Sequence, residues 1–188
     1  MIRTIKNHGT ILYVIVLASL LSACAGMEER SCERHEAETR GTKPFTTYTL
    51  TEPRPGTSAP RALTPGSIAQ APTYKMSFKP GYTKPCTTLV LHKEVVILRS
   101  DDANVILNEV REFYAEDGTL IATTTQDITS QVKHSGTYVT STPLPIPKSA
   151  PPGKYKIINK LLFERRGDRR LPVTIARAEG HFYIIPQQ

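Results

Sequence analysis

The most reactive groups in this 188-residue chain are three thiols, Cys24, Cys32 and Cys86. Cys24 directly follows Leu21, Ser22 and Ala23. Ser22 and Ala23 are small, and a thiol is a nucleophile that can be alkylated. Cys32 and Cys86 make an even pair, which in an oxidising compartment invites a disulfide. Closing a loop of about 55 residues contributes on the order of 4 kcal/mol when the cross-link acts by restricting the unfolded chain. A buried free Cys86 and an intermolecular bridge through Cys32 are the alternatives.

Little else in the chain is equipped for chemistry. His35, His92, His134 and His181 are scattered without the spacing of a metal site, and His8 belongs to the N-terminal segment. There is no G-x-S-x-G, no phosphate-binding loop and no G-x-G-x-x-G. Asp101 and Asp102 carry oxygen ligands, but a polar loop between strands explains them more simply. Arg166-Gly167-Asp168 has the residues of a tight turn. The expectation is a protein that is not an enzyme, with no catalytic residue, no metal and no cofactor.

Residues 11–21, which lead to Cys24, form an apolar run behind Arg3 and Lys6. As a helix the run spans about 16 Å, whereas crossing a bilayer takes about 20 residues. That makes it the hydrophobic part of a signal peptide covering residues 1–23. Together with Leu21-Ser22-Ala23-Cys24 it resembles the signal and lipobox of bacterial lipoproteins. The resemblance implies a diacylglyceryl thioether on Cys24, cleavage between Ala23 and Cys24, and acylation of the new amino group. Each chain contributes about 0.8 kcal/mol per buried CH2, so more than one anchors the protein stably. Enterobacterial lipoproteins kept in the inner membrane carry Asp at the position of Ala25, so that resemblance implies an outer-membrane lipoprotein facing the periplasm or the cell surface; another leaflet of the bacterial membranes is the alternative.

Residues 24–72 read as a tether. The stretch 27–40 is dense in charge with no apolar face, which suits a solvated spacer better than a docked helix. Residues 41–72 carry Pro44, Pro53, Pro55, Pro60, Pro65 and Pro72 among small polar residues, a disordered linker by composition. Fully extended, such a tether reaches on the order of 150 Å. A Cys32–Cys86 bridge shortens it greatly.

From residue 73 to 188 the sequence turns strand-like, with runs at 73–78, 87–98, 104–115, 119–126, 137–142, 154–164 and 173–185. Asp117-Gly118 predicts a hairpin, and Gly180 predicts a bulge or break in the last strand. In 154–164, Tyr155, Ile157, Asn159, Leu161 and Phe163 share one face, and Lys154, Lys156, Lys160 and Glu164 share the other. About seven strands without a convincing helix predict an all-β antiparallel sandwich. Asp117-Gly118 and Pro151-Pro152-Gly153-Lys154-Tyr155 resemble turn and strand-start elements of bacterial immunoglobulin-like or fibronectin-like domains, which implies that fold and an inward-packed Tyr155.

Charge is unevenly spread within a net +7: residues 148–188 balance to +6 and residues 92–133 to −4. Lys154, Lys156, Lys160, Arg165, Arg166, Arg169 and Arg170 are the candidate contacts for a polyanionic envelope polymer or an acidic partner, with strand-edge protection and plain solubility as the other readings. Nucleic acid is argued against, because aromatic residues are not interleaved with the basic ones. The leading expectation is a non-catalytic binding or assembly module held to the membrane by lipid, recognising an envelope protein or polymer by a sheet edge or by the 165–170 loop. A structural subunit of a secretion, pilus or conjugation apparatus is the alternative, and an envelope hydrolase ranks third. The oligomeric state is left open.

Overall fold

The computed structural model describes residues 30–41, 45–51, 62–101, 104–168 and 171–187. The chain divides into two units, Met1–Thr42 and Lys43–Gln188. Ala23, Cys24 and the apolar run 11–21 lie outside the described residues, as do Arg169 and Arg170.

In the first unit, residues 30–39 form a helix, α1, where a solvated spacer was expected. Arg34 and Glu38, and Glu36 and Arg40, stand four residues apart, the spacing at which opposite charges support a helix without an apolar face. The Thr39 hydroxyl donates to the His35 carbonyl at 2.7 Å, and Gly41 follows with φ of +75°, a left-handed turn suited to glycine at a helix end. Cys32, on this helix, is buried.

The second unit is a sandwich of nine strands: β1 (Thr47–Thr51), β2 (Ala69–Phe78), β3 (Tyr82–Thr83), β4 (Thr88–Arg99), β5 (Val105–Tyr114), β6 (Leu120–Asp127), β7 (Gly136–Pro145), β8 (Gly153–Arg165) and β9 (Val173–Ile184). One sheet runs β1-β7-β4-β2 and the other β3-β9-β8-β5-β6; every pairing is antiparallel except the two-residue β3 against β9. The all-β antiparallel expectation holds, with two further strands. The sandwich begins well before residue 73, because β1 lies inside the stretch read as linker. Its Tyr48 ring meets Tyr138 edge-on at 6.3 Å, and Thr46 just before it is fully buried. Proline composition hid a five-residue strand that only its long-range partners define.

Asp117 and Gly118 do close the β5–β6 hairpin, with Gly118 at φ of +85°. Gly180 does not break β9. The irregularity falls instead opposite Leu161 and Leu162, and a Cβ on Gly180 would stand 3.0 Å from the Phe78 ring of β2. This glycine serves close approach of the two sheets.

The core is apolar at both ends and polar in the middle. Val95, Ile97, Leu107, Tyr138 and Leu161 belong to one buried cluster, and Leu89, Leu91, Leu144, Ile157 and Phe182 to another. Between them, at the inward positions of the same strands, lie Lys93, Glu109, Arg111, Thr140, Thr142 and Asn159, all buried. The Glu109 carboxylate accepts from the Lys93 ammonium, from Arg111 Nη2 at 3.1 Å, from Asn159 Nδ2 at 3.0 Å and from the Tyr48 hydroxyl at 2.5 Å. Arg111 Nη2 also reaches Thr46 Oγ1 at 2.6 Å, which ties β1 into this belt.

Candidate binding site

The basic residues singled out by charge stand on the structure as follows. Lys154, Lys156 and Lys160 lie on one face of β8, as alternation predicted. However, β8 is an interior strand between β9 and β5, so these lysines stand on a sheet face and protect no edge. Lys160 Nζ lies 2.6 Å from Glu112 Oε1, and Lys156 Nζ lies 5.0 Å from the Tyr114 ring centre. Glu112 also accepts from the Tyr114 hydroxyl at 2.9 Å, and the Lys160 hydrogen bond, ahead of the others, holds its carboxyl below the usual value. On neighbouring β9, Arg177 pairs with Glu179 at 3.1 Å. On this face Lys160 and Arg177 thus each meet a carboxylate. Arg165 and Arg166 are exposed at the β8–β9 turn, where Gly167 takes φ of +82° and the Asp168 N–H donates to the Arg165 carbonyl at 2.9 Å, the tight turn expected from these residues.

Cys32 and Cys86 are both disulfide-bonded. His35, His92, His134 and His181 fall on separate elements, and among the described residues no three metal-ligating side chains come together. No helix among the described residues is long and apolar enough to cross a membrane.

Sequence reasoning did not single out the β6 edge or the cleft beside it. A sheet edge exposes unpaired backbone groups, and most edges in this sandwich are protected. On β1, the Thr46 and Tyr48 N–H groups donate to the side-chain carbonyls of Gln126 and Gln131 at 2.8 and 2.9 Å, and the Thr46 carbonyl accepts from both amides. β2 carries Pro72, Lys75 and a register shift; β3 is two residues long with Pro80 before it and Pro85 after it, and it covers only Tyr183 and Ile184 of β9, whose remaining edge carries Arg177 and Glu179. On β7, the half beyond β1 contains Pro143 and Pro145, which have no N–H to offer.

Among the described residues β6 has no such device. Its sequence LIATTTQ has neither proline nor charge before Asp127, and Leu120 and Ile121 are about half exposed. The Ile128 N–H donates to the Leu107 carbonyl, and Gln126 and Thr124 lie opposite Glu109 and Arg111. By antiparallel alternation those residues turn their backbone toward β5, and Thr123 and Thr125 turn theirs outward.

Next to this edge is a cleft of about 480 Å3. Ile121, Ala122 and Thr124 of β6 form one wall, and residues 144–147 and 149–151 form another. Tyr155 and Phe182 lie deeper, stacked at 5.4 Å, with the Tyr155 hydroxyl donating to the Pro151 carbonyl at 2.7 Å. Lys156 is the one charged residue among the described lining groups. The described lining is thus an apolar recess beside the outer edge of β6, of a size to hold a side chain.

No protein-family model matches the chain, and no curated protein matches it. Among solved structures it is similar to a calcium-binding mutant of β-glucuronidase 2 from Bacteroides uniformis, with a TM-score of 0.34, 22% identity, and coverage of 58% of this chain but 12% of that one. It is also similar to a family 123 glycoside hydrolase from Clostridium perfringens (TM-score 0.30, 10% identity, 56% and 22% coverage). A third likeness is to the sporulation control protein of Bacillus subtilis (TM-score 0.30, 11% identity, 65% and 50% coverage). The chain spans half or less of each of these proteins, and such scores bear on neither activity nor ligand.

Proposed function

We propose that this protein is a non-catalytic envelope lipoprotein, anchored through Cys24, whose sandwich binds a protein partner by strand addition at β6. The observation that carries this reading is the contrast among edges: proline, side-chain amides or shortness mark β1, β2, β3 and the end of β7, and charge marks the part of β9 that β3 does not cover, whereas β6 offers uncharged, β-branched sequence beside an apolar cleft. The charge neutralisation of Lys160 by Glu112 favours this edge over the basic face. Cys32 and Cys86 are proposed to pair with each other.

Two measurements test the proposal in the native envelope. Intact mass spectrometry of the membrane-extracted protein is expected to give a chain starting at Cys24 with acyl mass, and a gain of about 2 Da on reduction for one disulfide. A chain retaining Met1 without lipid overturns the anchor. A photo-reactive residue at Ile121 is expected to yield a discrete protein adduct that the same residue at Tyr183, on the far face of β9, does not. Equal labelling from both positions, or none, overturns the β6 site.

A further inference from the structure

The ends of β6 carry charge that its middle lacks. Glu116 and Asp117 precede the strand and Asp127 ends it, all three exposed, while the residues between Leu120 and Gln126 are uncharged. Asp117 Oδ1 accepts from the Thr119 N–H and Asp127 Oδ1 from the Thr129 N–H, each at 2.8 to 2.9 Å, so both carboxylates are fixed at the strand ends. A strand laid along the outer edge of β6 therefore meets an acidic end, a neutral middle and a second acidic end.

The same pattern argues against a second copy as the occupant. Two β6 strands paired antiparallel about Thr123 place Asp127 of each opposite Thr119 of the other, two residues from Asp117, so like charges gather at both ends. The inward positions then match Thr124 with Ala122, which are too small to fill a 480 Å3 cleft.

We infer that the partner of β6 is an extended segment of another protein, uncharged and rich in β-branched residues in its middle, with one bulky apolar or aromatic side chain for the cleft and a basic residue at each end. This rests on the β6 reading above and specifies its ligand. Added strands put alternate side chains on alternate faces, so an anchor near Ile121 drops between the sheets at the open end. At the other end the Gln126 and Gln131 amides are already engaged with the Thr46 and Tyr48 N–H groups. Opposite charges at the strand ends fix direction and register.

The probe is a fluorescein-labelled peptide of alternating valine and threonine with a central phenylalanine and lysine at both ends, titrated by anisotropy into the full mature chain. Binding is expected to weaken about tenfold or more with Thr125→Pro, which removes an outward N–H without touching the β5 ladder, and with Ile121→Glu in the cleft wall. The double variant Asp117→Asn and Asp127→Asn keeps both turn caps; it should weaken binding severalfold and reduce its salt dependence. Amide exchange in β5 should remain unchanged in every variant, which separates loss of binding from loss of fold. If the proline variant abolishes binding but a glutamate-ended peptide binds as tightly as the lysine-ended one, the basic-ended ligand is wrong and the edge stands. If phenylalanine can be replaced by serine without loss, the anchor is wrong. If Thr125→Pro leaves binding untouched, the edge itself fails. A concentration-dependent dimer of the free chain, abolished by Thr125→Pro, would show that the occupant is a second copy.

Discussion

The same side-chain types meet in two places, with opposite consequences. On the outer face of the β3-β9-β8-β5-β6 sheet, Lys160 pairs with Glu112 in reach of solvent, the two side chains 32% and 16% exposed. Between the sheets, Lys93 and Arg111 pair with Glu109 at 2% exposure or less. Solvent screens the first pair and supplies a substitute when either partner is lost. The second has no substitute, and it holds two cations for one carboxylate. The buried belt therefore governs whether the two sheets pack in this register, and the surface pair adjusts only solubility and local order.

The largest test of that contrast is Glu109→Ala. It strands both cations and removes the acceptor of the Tyr48 hydroxyl and the Asn159 amide, so unfolding free energy should fall by about 3–5 kcal/mol in a urea titration. A loss below about 1 kcal/mol would place Glu109 with the surface pairs. Next is Tyr48→Phe, which keeps the ring against Tyr138 and deletes only the bond to a charged acceptor. A loss of about 1.5–3 kcal/mol is expected, together with faster amide exchange in β1.

The pH response sharpens the comparison, because burial moves only the inner groups far. Burial, opposed by Glu109 and helped by Arg111, brings the Lys93 ammonium from an ordinary 10.5 down to about 8. Between those values the unfolded chain holds a proton that the folded chain has released, so stability rises with pH across that window. Burial pushes the Tyr48 and Tyr74 hydroxyls up, so above about pH 10 the unfolded tyrosines ionise and the folded ones do not, which reverses the trend. Lys93 and Arg111 hold Glu109 below its ordinary value of 4.5 against the opposing pull of burial, so its stabilisation is present above that pH and is lost as pH falls through the folded value. The urea midpoint should climb from pH 8 toward a maximum near pH 10, and Lys93→Met should remove the climb. A midpoint that falls steadily from pH 8 contradicts the belt as drawn.

Much of this architecture is legible in strand periodicity. The faces of β8 and the hairpin at Asp117-Gly118 follow from local pattern, and Tyr155 packs against Phe182 as its strand-start element implied. The belt leaves a trace too: Leu89, Leu91, Lys93, Val95 and Ile97 alternate inward on β4 with one charge in phase, and Glu109 and Arg111 repeat the break on β5. What that trace lacks is the partner, because Lys93 and Glu109 meet across the two sheets. β1 was hidden for the same reason. Its anchors, Gln126, Gln131 and Tyr138, lie 80 or more residues from the Thr46 and Tyr48 groups they hold, and proline on both sides masked five residues of β-forming sequence. The candidate site was half legible. β6 reads as a strand from its threonines, but whether a strand is interior or at an edge is a property of topology, and the cleft exists only because β7 and the 147–151 loop end beside it.

The smallest expected effect falls on the outer face. Lys160→Ala leaves Glu112 partly exposed, with the Tyr114 hydroxyl still donating to it, so water takes over the vacated position. The loss should be below about 1 kcal/mol and should shrink further as salt is raised. The Glu112 carboxyl, freed of the hydrogen bond that chiefly lowers it, should titrate closer to its ordinary value by NMR. That titration shift and the stability change measure the same bond with different sensitivity: a clear movement of Glu112 with almost no change in the urea midpoint is the signature of a surface pair. A loss as large as that of Glu109→Ala would mean that the outer face of this sheet is covered in the protein's working state, and the basic stripe on β8 would then have to be counted as an interface.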